Sequence, residues 1–135
     1  LSLRGNRLTA SSCEKLAEII TNSRLKYLSL AENDLNEGTE MITKAIFDAP
    51  ALHYGVFGQD CQPYGQLQYL DLRQTGLTPR AVIHLQKYIM SRFCGLRELQ
   101  LGHSLLPESA FDRIIDAIRF NTSLEAITIK SCQNF

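Results

Sequence analysis

The side chains of this sequence with the greatest chemical potential are four cysteines and three histidines. The cysteines stand at positions 13, 61, 94 and 132. No two of them form the CxxC pair of common zinc sites, and they are too few and too scattered for a disulfide scaffold. This usage favours reduced thiols in a cytosolic or nuclear protein.

Catalysis or metal binding would require a histidine beside a second reactive group. Cys132 and His103 could pair as nucleophile and base, but the strand pattern described below turns Cys132 inwards. His53 and Cys61 supply only two metal ligands, and His84 falls in a predicted helix. The common phosphate-binding, dinucleotide-binding, hydrolase and zinc-protease motifs do not occur. We therefore expect no catalytic residue, no metal and no cofactor, and the chain is predicted not to be an enzyme.

The overall charge and hydropathy argue against two classes of partner. The 14 basic and 14 acidic side chains cancel, whereas nucleic-acid binders usually carry a basic excess. No run approaches the roughly 18 consecutive apolar residues of a transmembrane helix. The sequence therefore predicts binding neither to nucleic acid nor to a membrane.

The strongest pattern in the chain is a repeat of leucines. Its fullest copy contains Leu25, Leu28, Leu30, Asn33 and Leu35, and further copies begin at Leu67, Leu96 and Leu124. Alternate side chains of a strand point to opposite faces, so Leu28 and Leu30 are expected in the core while Tyr27 and Ser29 point outwards. An incomplete copy opens the chain.

The second half of each copy predicts a helix. After Leu77, the residues Ala81, Val82, Leu85 and Ile89 share one helical face. Helix starts are predicted at Thr9, Thr78 and Pro107, and helix ends at Asn22 and Asn121.

These residues resemble the leucine-rich-repeat superfamily, in its ribonuclease-inhibitor-like subtype. Steps of 29 and 28 residues from Leu67 to Leu96 to Leu124 suit repeats that contain a full helix. The resemblance implies an α/β solenoid, or horseshoe, with parallel strands on the concave face and helices on the convex face. It covers residues 1–135 as a single domain of about five to six repeats. Neither end shows a polar capping repeat, so we expect an interior fragment of a larger protein, truncated at both ends.

The repeat pattern breaks between Leu25 and Leu67, which are 42 residues apart. The irregular segment 49–66 has two interpretations. One is a degenerate repeat, with an extra strand at 53–57 and a loop after it, favoured because Leu52 follows Leu25 by 27 residues. The other is a surface loop over 48–66 after a normal helix.

The same segment concentrates aromatic residues. Tyr54, Phe57 and Tyr64 either contact a partner or fill the space that a missing helix leaves.

The resemblance places the outward-pointing strand residues on the concave face. The predicted protein-binding residues are Arg4, Tyr27, Ser29, Tyr69, Asp71, Arg73, Glu98, Gln100, His103 and Lys130. The two tyrosines occupy equivalent positions, as do the two arginines and the lysine, and tyrosine and arginine are enriched at interface hot spots. Acidic residues lie between them, which favours a partner of mixed charge. The alternative is an ordinary solvated face on which Asp71 and Arg73 neutralise each other.

The function implied by the resemblance is protein–protein interaction or scaffolding, without catalysis, by part of a larger intracellular protein. We expect another protein as partner and a cytoplasmic or nuclear location. Two alternatives are a sensor or regulatory region of a NOD-like receptor and a GTPase-activating protein of the Ran type. The sequence does not predict the partner's identity or the oligomeric state.

Overall fold

Four short strands and four helices alternate along the chain in the computed structural model, which describes residues 1–57 and 67–129, with side chains for 1–49 and 67–129. The elements, after a 3-10 turn at Ala10–Ser12, are α1 Cys13–Asn22, β1 Tyr27–Ser29, α2 Gly38–Phe57, β2 Tyr69–Asp71, α3 Pro79–Met90, β3 Glu98–Gln100, α4 Glu108–Ile118 and β4 Ala126–Thr128. Within the described ranges, no helix is both long enough and apolar enough to span a membrane.

The strands form one parallel sheet in the order β1-β2-β3-β4. Its register aligns Leu28, Leu70, Leu99 and Ile127 in one row, which is the alignment that the leucine spacing predicts. The first residues of the chain extend the sheet beyond β1, because Leu3 N–H donates to the Ser29 carbonyl at 2.9 Å. Equivalent positions of successive copies therefore lie side by side.

The core lies between the sheet and the helices. The inward leucines of the strands, such as Leu70 and Leu99, are fully buried and join one cluster with helix residues such as Ile42, Leu85 and Ile114. Helices pack in chain order, α1 on α2, α2 on α3 and α3 on α4. Burying this apolar layer is the main favourable contribution to folding.

Asn33 ties the first copies together from a position just beyond β1. Its side chain is almost fully buried. The amide nitrogen donates to the carbonyls of Leu3 at 2.8 Å and Leu30 at 2.9 Å, while its oxygen accepts from the N–H groups of Asn6 at 3.0 Å and Leu8 at 2.9 Å. One amide thus satisfies peptide groups that would otherwise be buried without partners.

The chain turns sharply at the same position after successive strands. Glu32, Gln74 and His103 have positive φ values of 60°, 53° and 58°, and Gly5 has 66° in the incomplete first copy. Only glycine adopts this left-handed conformation freely. The repeated turn therefore holds three larger side chains, one per copy, at the same edge of the sheet.

The helix boundaries follow the sequence signals. The Thr78 hydroxyl accepts from Ala81 N–H at 3.2 Å, and Pro79 occupies the first turn of α3, where its missing N–H costs nothing. After α4, the Asn121 side-chain oxygen accepts from Leu124 N–H at 2.7 Å and its nitrogen donates to the Ile89 carbonyl at 2.9 Å. Asn121 therefore orders the turn that follows α4 and ties this turn to the end of α3.

The predicted extra strand at 53–57 is wrong, because α2 continues to Phe57. The alternative of a loop from residue 48 is wrong for the same reason over 48–57. Ile42, Ala45, Ile46 and Ala49 are buried at helical spacing, and the sequence continues this 3–4 period through Leu52 and Val56. Residues 58–66 lie outside the described part of the chain.

Candidate functional site

The parallel register gathers the outward-pointing residues of the strands on one side of the sheet, opposite the helices. We call this side the open sheet face. Its first row contains Tyr27, Tyr69, Glu98 and Ala126, and its second row contains Ser29, Asp71, Gln100 and Thr128. The row assignments follow the sequence prediction, but the exposure of the side chains differs from it.

Tyr27 and Tyr69 form a stacked aromatic pair on the open sheet face. Their ring centroids are 4.4 Å apart and their planes differ by 7°. Tyr27 remains 43% exposed, whereas Tyr69 is partly buried. Burial, followed by the nearby charge of Asp71, raises the pKa of Tyr69 to about 12. Its phenol is therefore neutral at physiological pH, and the pair presents rigid aromatic surface with a hydroxyl.

The sequence predicts Asp71 as an exposed contact residue, but in the structure its exposed fraction is only 1%. Arg73 covers it, donating from Nε to Oδ1 at 2.9 Å and from Nη2 to Oδ2 at 2.8 Å. Burial alone would raise the pKa of Asp71, but the hydrogen bonds and charge of Arg73 outweigh it and hold that pKa below its usual value. Asp71 thus positions Arg73 rather than facing a partner.

Ser29 departs from the prediction in the same way. It is 1% exposed, and its hydroxyl donates to Asp71 Oδ2 at 3.3 Å. The side chain points to the open sheet face, but it is buried there beside Asp71. Ser29 supports the buried carboxylate and is inaccessible to a partner.

Arg4 lies at the edge of the open sheet face and pairs with Glu32. Its Nε donates to Oε2 at 2.8 Å and its Nη2 donates to Oε1 at 3.1 Å. The hydrogen bond and charge of Glu32 raise the pKa of Arg4, and those of Arg4 lower the pKa of Glu32. Both side chains stay exposed to solvent.

A polar pocket of about 90 Å³ opens where the strands end. Its lining residues are Arg4, Ala31, Glu32, Arg73, Gln74 and His103. The structure therefore brings together three of the predicted residues, Arg4, Arg73 and His103. Glu32 and Gln74 are not among the predicted contact residues, although the sequence places both on the same face, at the repeat position of His103.

The remaining predicted residues fall into two groups. Glu98 and Gln100 are both partly buried. Gln100 Nε2 donates to Glu98 Oε1 at 3.3 Å, and Glu98 lies next to Tyr69 in the sheet. Lys130 and Tyr64 lie outside the described residues, and the side chains of Tyr54 and Phe57, which are within α2, do so as well.

The described cysteines offer little reactivity. Cys13 and Cys94 are buried free thiols, and burial raises the pKa of both. A thiolate, the reactive form, is therefore disfavoured at either position. Over 1–49 and 67–129, where side chains are described, no three side chains of His, Cys, Asp or Glu are grouped so that they could hold a metal ion.

No family model matches the chain. Over 110 residues, however, the sequence is 36% identical to a curated protein from Sus scrofa. That relative is a ribonuclease inhibitor. The alignment covers 81% of this chain and 21% of the ribonuclease inhibitor, so the chain spans about a fifth of its relative's length. The match agrees with the predicted ribonuclease-inhibitor-like relationship, and one parallel sheet of four strands with four helices is consistent with a leucine-rich-repeat fold.

Proposed function

We propose that this chain is a non-catalytic protein-binding module of the leucine-rich-repeat type and part of a larger intracellular protein. Its partner binds the open sheet face, which forms the concave side of a horseshoe-shaped solenoid. The contact residues are Arg4, Tyr27, Tyr69, Arg73, Glu98, Gln100, His103 and Lys130. Similarity to a ribonuclease inhibitor supports this proposal, because the name describes a protein that acts on another protein.

The observation that carries the proposal is the stacked pair of Tyr27 and Tyr69. Each ring holds the other in place, so little conformational freedom remains to be lost when a partner covers them. Tyr27 keeps 43% of its surface exposed, so its ring is accessible to a partner. Preordered aromatic side chains of this kind are typical anchors of protein interfaces.

The polar side chains next to the tyrosine pair also favour the open sheet face as the binding surface. Arg73 is fixed by Asp71, and Glu98 is held by Gln100, so both enter an interface already ordered. The proposed intracellular setting is supported by the free thiols of Cys13 and Cys94.

The test starts from the natural protein that contains this chain. Affinity capture from its own cell extract, read by mass spectrometry, identifies a partner, and calorimetry with the purified partner measures Kd. We expect Tyr27→Ala to weaken binding at least about tenfold, as hot-spot truncations do. Arg73 is a poor first variant, because its loss exposes the buried Asp71 charge.

Ile19→Ala is the matched control. Ile19 lies on α1 and is also 43% exposed, so it loses a similar exposed apolar surface away from the sheet. An unchanged Kd for Tyr27→Ala, or an equal loss for Ile19→Ala, contradicts binding on the open sheet face.

A further inference from the structure

The polar pocket at the end of the strands has more hydrogen-bond donors than acceptors. Arg4 and Arg73 each donate from Nε and Nη2 to one carboxylate. A guanidinium carries five N–H groups, so each arginine keeps further donors for a ligand. Gln74 and His103 add two more polar side chains to the wall, and both are exposed.

The carboxylates around the pocket are already engaged. The Asp71 carboxylate lies beneath Arg73, with its side chain only 2% exposed, and also accepts from Ser29. Glu32 has both oxygens bonded to Arg4. A ligand entering the pocket therefore meets guanidinium donors, while one carboxylate is buried and the other is already paired.

The two arginines differ in how firmly they are held. Arg73 is anchored by a buried carboxylate, whereas the side chains of Arg4 and Glu32 are 52% and 43% exposed. Exposed ion pairs contribute little to stability, so Arg4 can exchange its partner readily. Arg73 thus supplies a fixed donor and Arg4 an exchangeable one.

We propose that this pocket binds the carboxylate of an acidic side chain, aspartate or glutamate, presented by the partner protein. The proposal rests on the proposed function and adds the chemistry of one contact. A carboxylate offers two oxygens with about four acceptor positions, which matches a site formed by two guanidinium groups. Glu32 acts as an internal competitor that occupies Arg4 until the partner's carboxylate displaces it.

The test uses short peptides as probes and needs no identified partner. The ¹⁵N-labelled chain is titrated with acetyl-Gly-Gly-Glu-Gly-Gly-amide, with its glutamine counterpart, and with acetylated pentaglycine that ends in a free carboxylate. We expect saturable shifts at the amides of Glu32, Gln74 and His103 with the glutamate peptide, and at least tenfold weaker binding of the glutamine peptide. Tighter binding of pentaglycine would overturn the assignment to a side chain in favour of a chain terminus.

Two variants of opposite expected effect sharpen the test. Arg4→Gln should weaken binding of the glutamate peptide about three- to tenfold, in the range of one charge-assisted contact. Glu32→Gln should instead tighten binding of this peptide several-fold, because the carboxylate that competes for Arg4 is removed. Lys44→Gln, which breaks an exposed ion pair on α2, is the matched control and should change nothing.

Equal binding of the glutamate and glutamine peptides, or no effect of either pocket variant, would overturn the proposal. Tyr27→Ala separates this result from the proposed function. It should abolish partner capture and leave the peptide titration unchanged, since Tyr27 does not line the pocket.

Discussion

The guanidinium of Arg73 covers the carboxylate of Asp71, with two hydrogen bonds of 2.9 and 2.8 Å. The Asp71 side chain is 2% exposed, whereas that of Arg73 is 29% exposed. The pair therefore links a buried negative charge to a positive charge at the surface of the open sheet face. The orientation of Arg73, a candidate contact residue, therefore depends on the Asp71 carboxylate, which is too buried for a partner to contact.

Removing Arg73 should destabilise the fold. Arg73→Gln leaves the Asp71 carboxylate buried without its main donor, and we expect a loss of about 2 kcal/mol in the free energy of unfolding, measured in urea. Asp71→Asn combined with Arg73→Gln should recover part of this loss, because no charge then remains to be compensated. Strictly additive losses in this double-mutant cycle would contradict the coupling.

Asp71 should also make stability depend on pH on the acid side. Its pKa is lower in the folded chain than the ordinary 3.8, so the unfolded chain binds the proton more readily. The contribution is complete above the unfolded value and is lost as the pH falls through the folded value. We expect Asp71→Asn to flatten the fall in unfolding free energy measured from about pH 5 down to about pH 2.

The control for this pH experiment is Asp48→Asn. Asp48 is 41% exposed and pairs with Lys44 on the surface of α2. If this variant flattened the acid slope as much as Asp71→Asn, the slope would reflect general charge effects.

Asn33 should contribute more to stability than the residue at the same position one strand along. Asn33→Ala removes hydrogen bonds to five peptide groups of two copies, and we expect a loss of about 3 kcal/mol by chemical unfolding. Among the described residues, the Thr75 hydroxyl donates only to the Leu72 carbonyl, at 2.8 Å, so Thr75→Ala should cost about 1 kcal/mol. Equal losses would show that the Asn33 network has no special weight.

Gly38 should not tolerate a larger side chain. A Cβ there would overlap the Cys13 sulfur and lie 3.0 Å from the Ala10 backbone. Gly38→Ala is expected to cost about 1–3 kcal/mol in thermal or urea unfolding, as overpacking does. Adding Cys13→Ala should recover part of the loss, and a double variant less stable than either single variant would contradict this contact.

The strand register and the helix faces could be predicted from the sequence because both follow from spacing. Period-two leucines define which strand residues enter the core. Tyr27 and Tyr69 hold the same position within their copies, so the register places them side by side although the two copies are 42 residues apart. The helix signals at Thr78 and Asn121 include hydrogen bonds to peptide N–H groups only three residues further along the chain. Such local relationships need no knowledge of the assembled sheet.

Accessibility could not be predicted in the same way. Ser29 and Asp71 point to the predicted face, but both are buried there, and Arg73 covers Asp71. The place of Glu32 in the pocket depends on Arg4, which bonds it from the neighbouring copy. The extent of α2 was mispredicted because one coincidence of spacing at Leu52 outweighed the continuing helical period of the segment.

The order of the strands in the sheet determines how local unfolding in one copy affects the other copies. Each strand is hydrogen-bonded only to the strands before and after it in sequence, and helix contacts follow the same order throughout the described residues. Unfolding can therefore proceed one copy at a time, with each copy protected chiefly by its two immediate neighbours. A substitution that unfolds one copy would therefore separate the copies on either side of it, which share no strand pairing or helix packing with each other. The effect of a substitution on local stability should then be confined largely to its own copy and the adjacent ones.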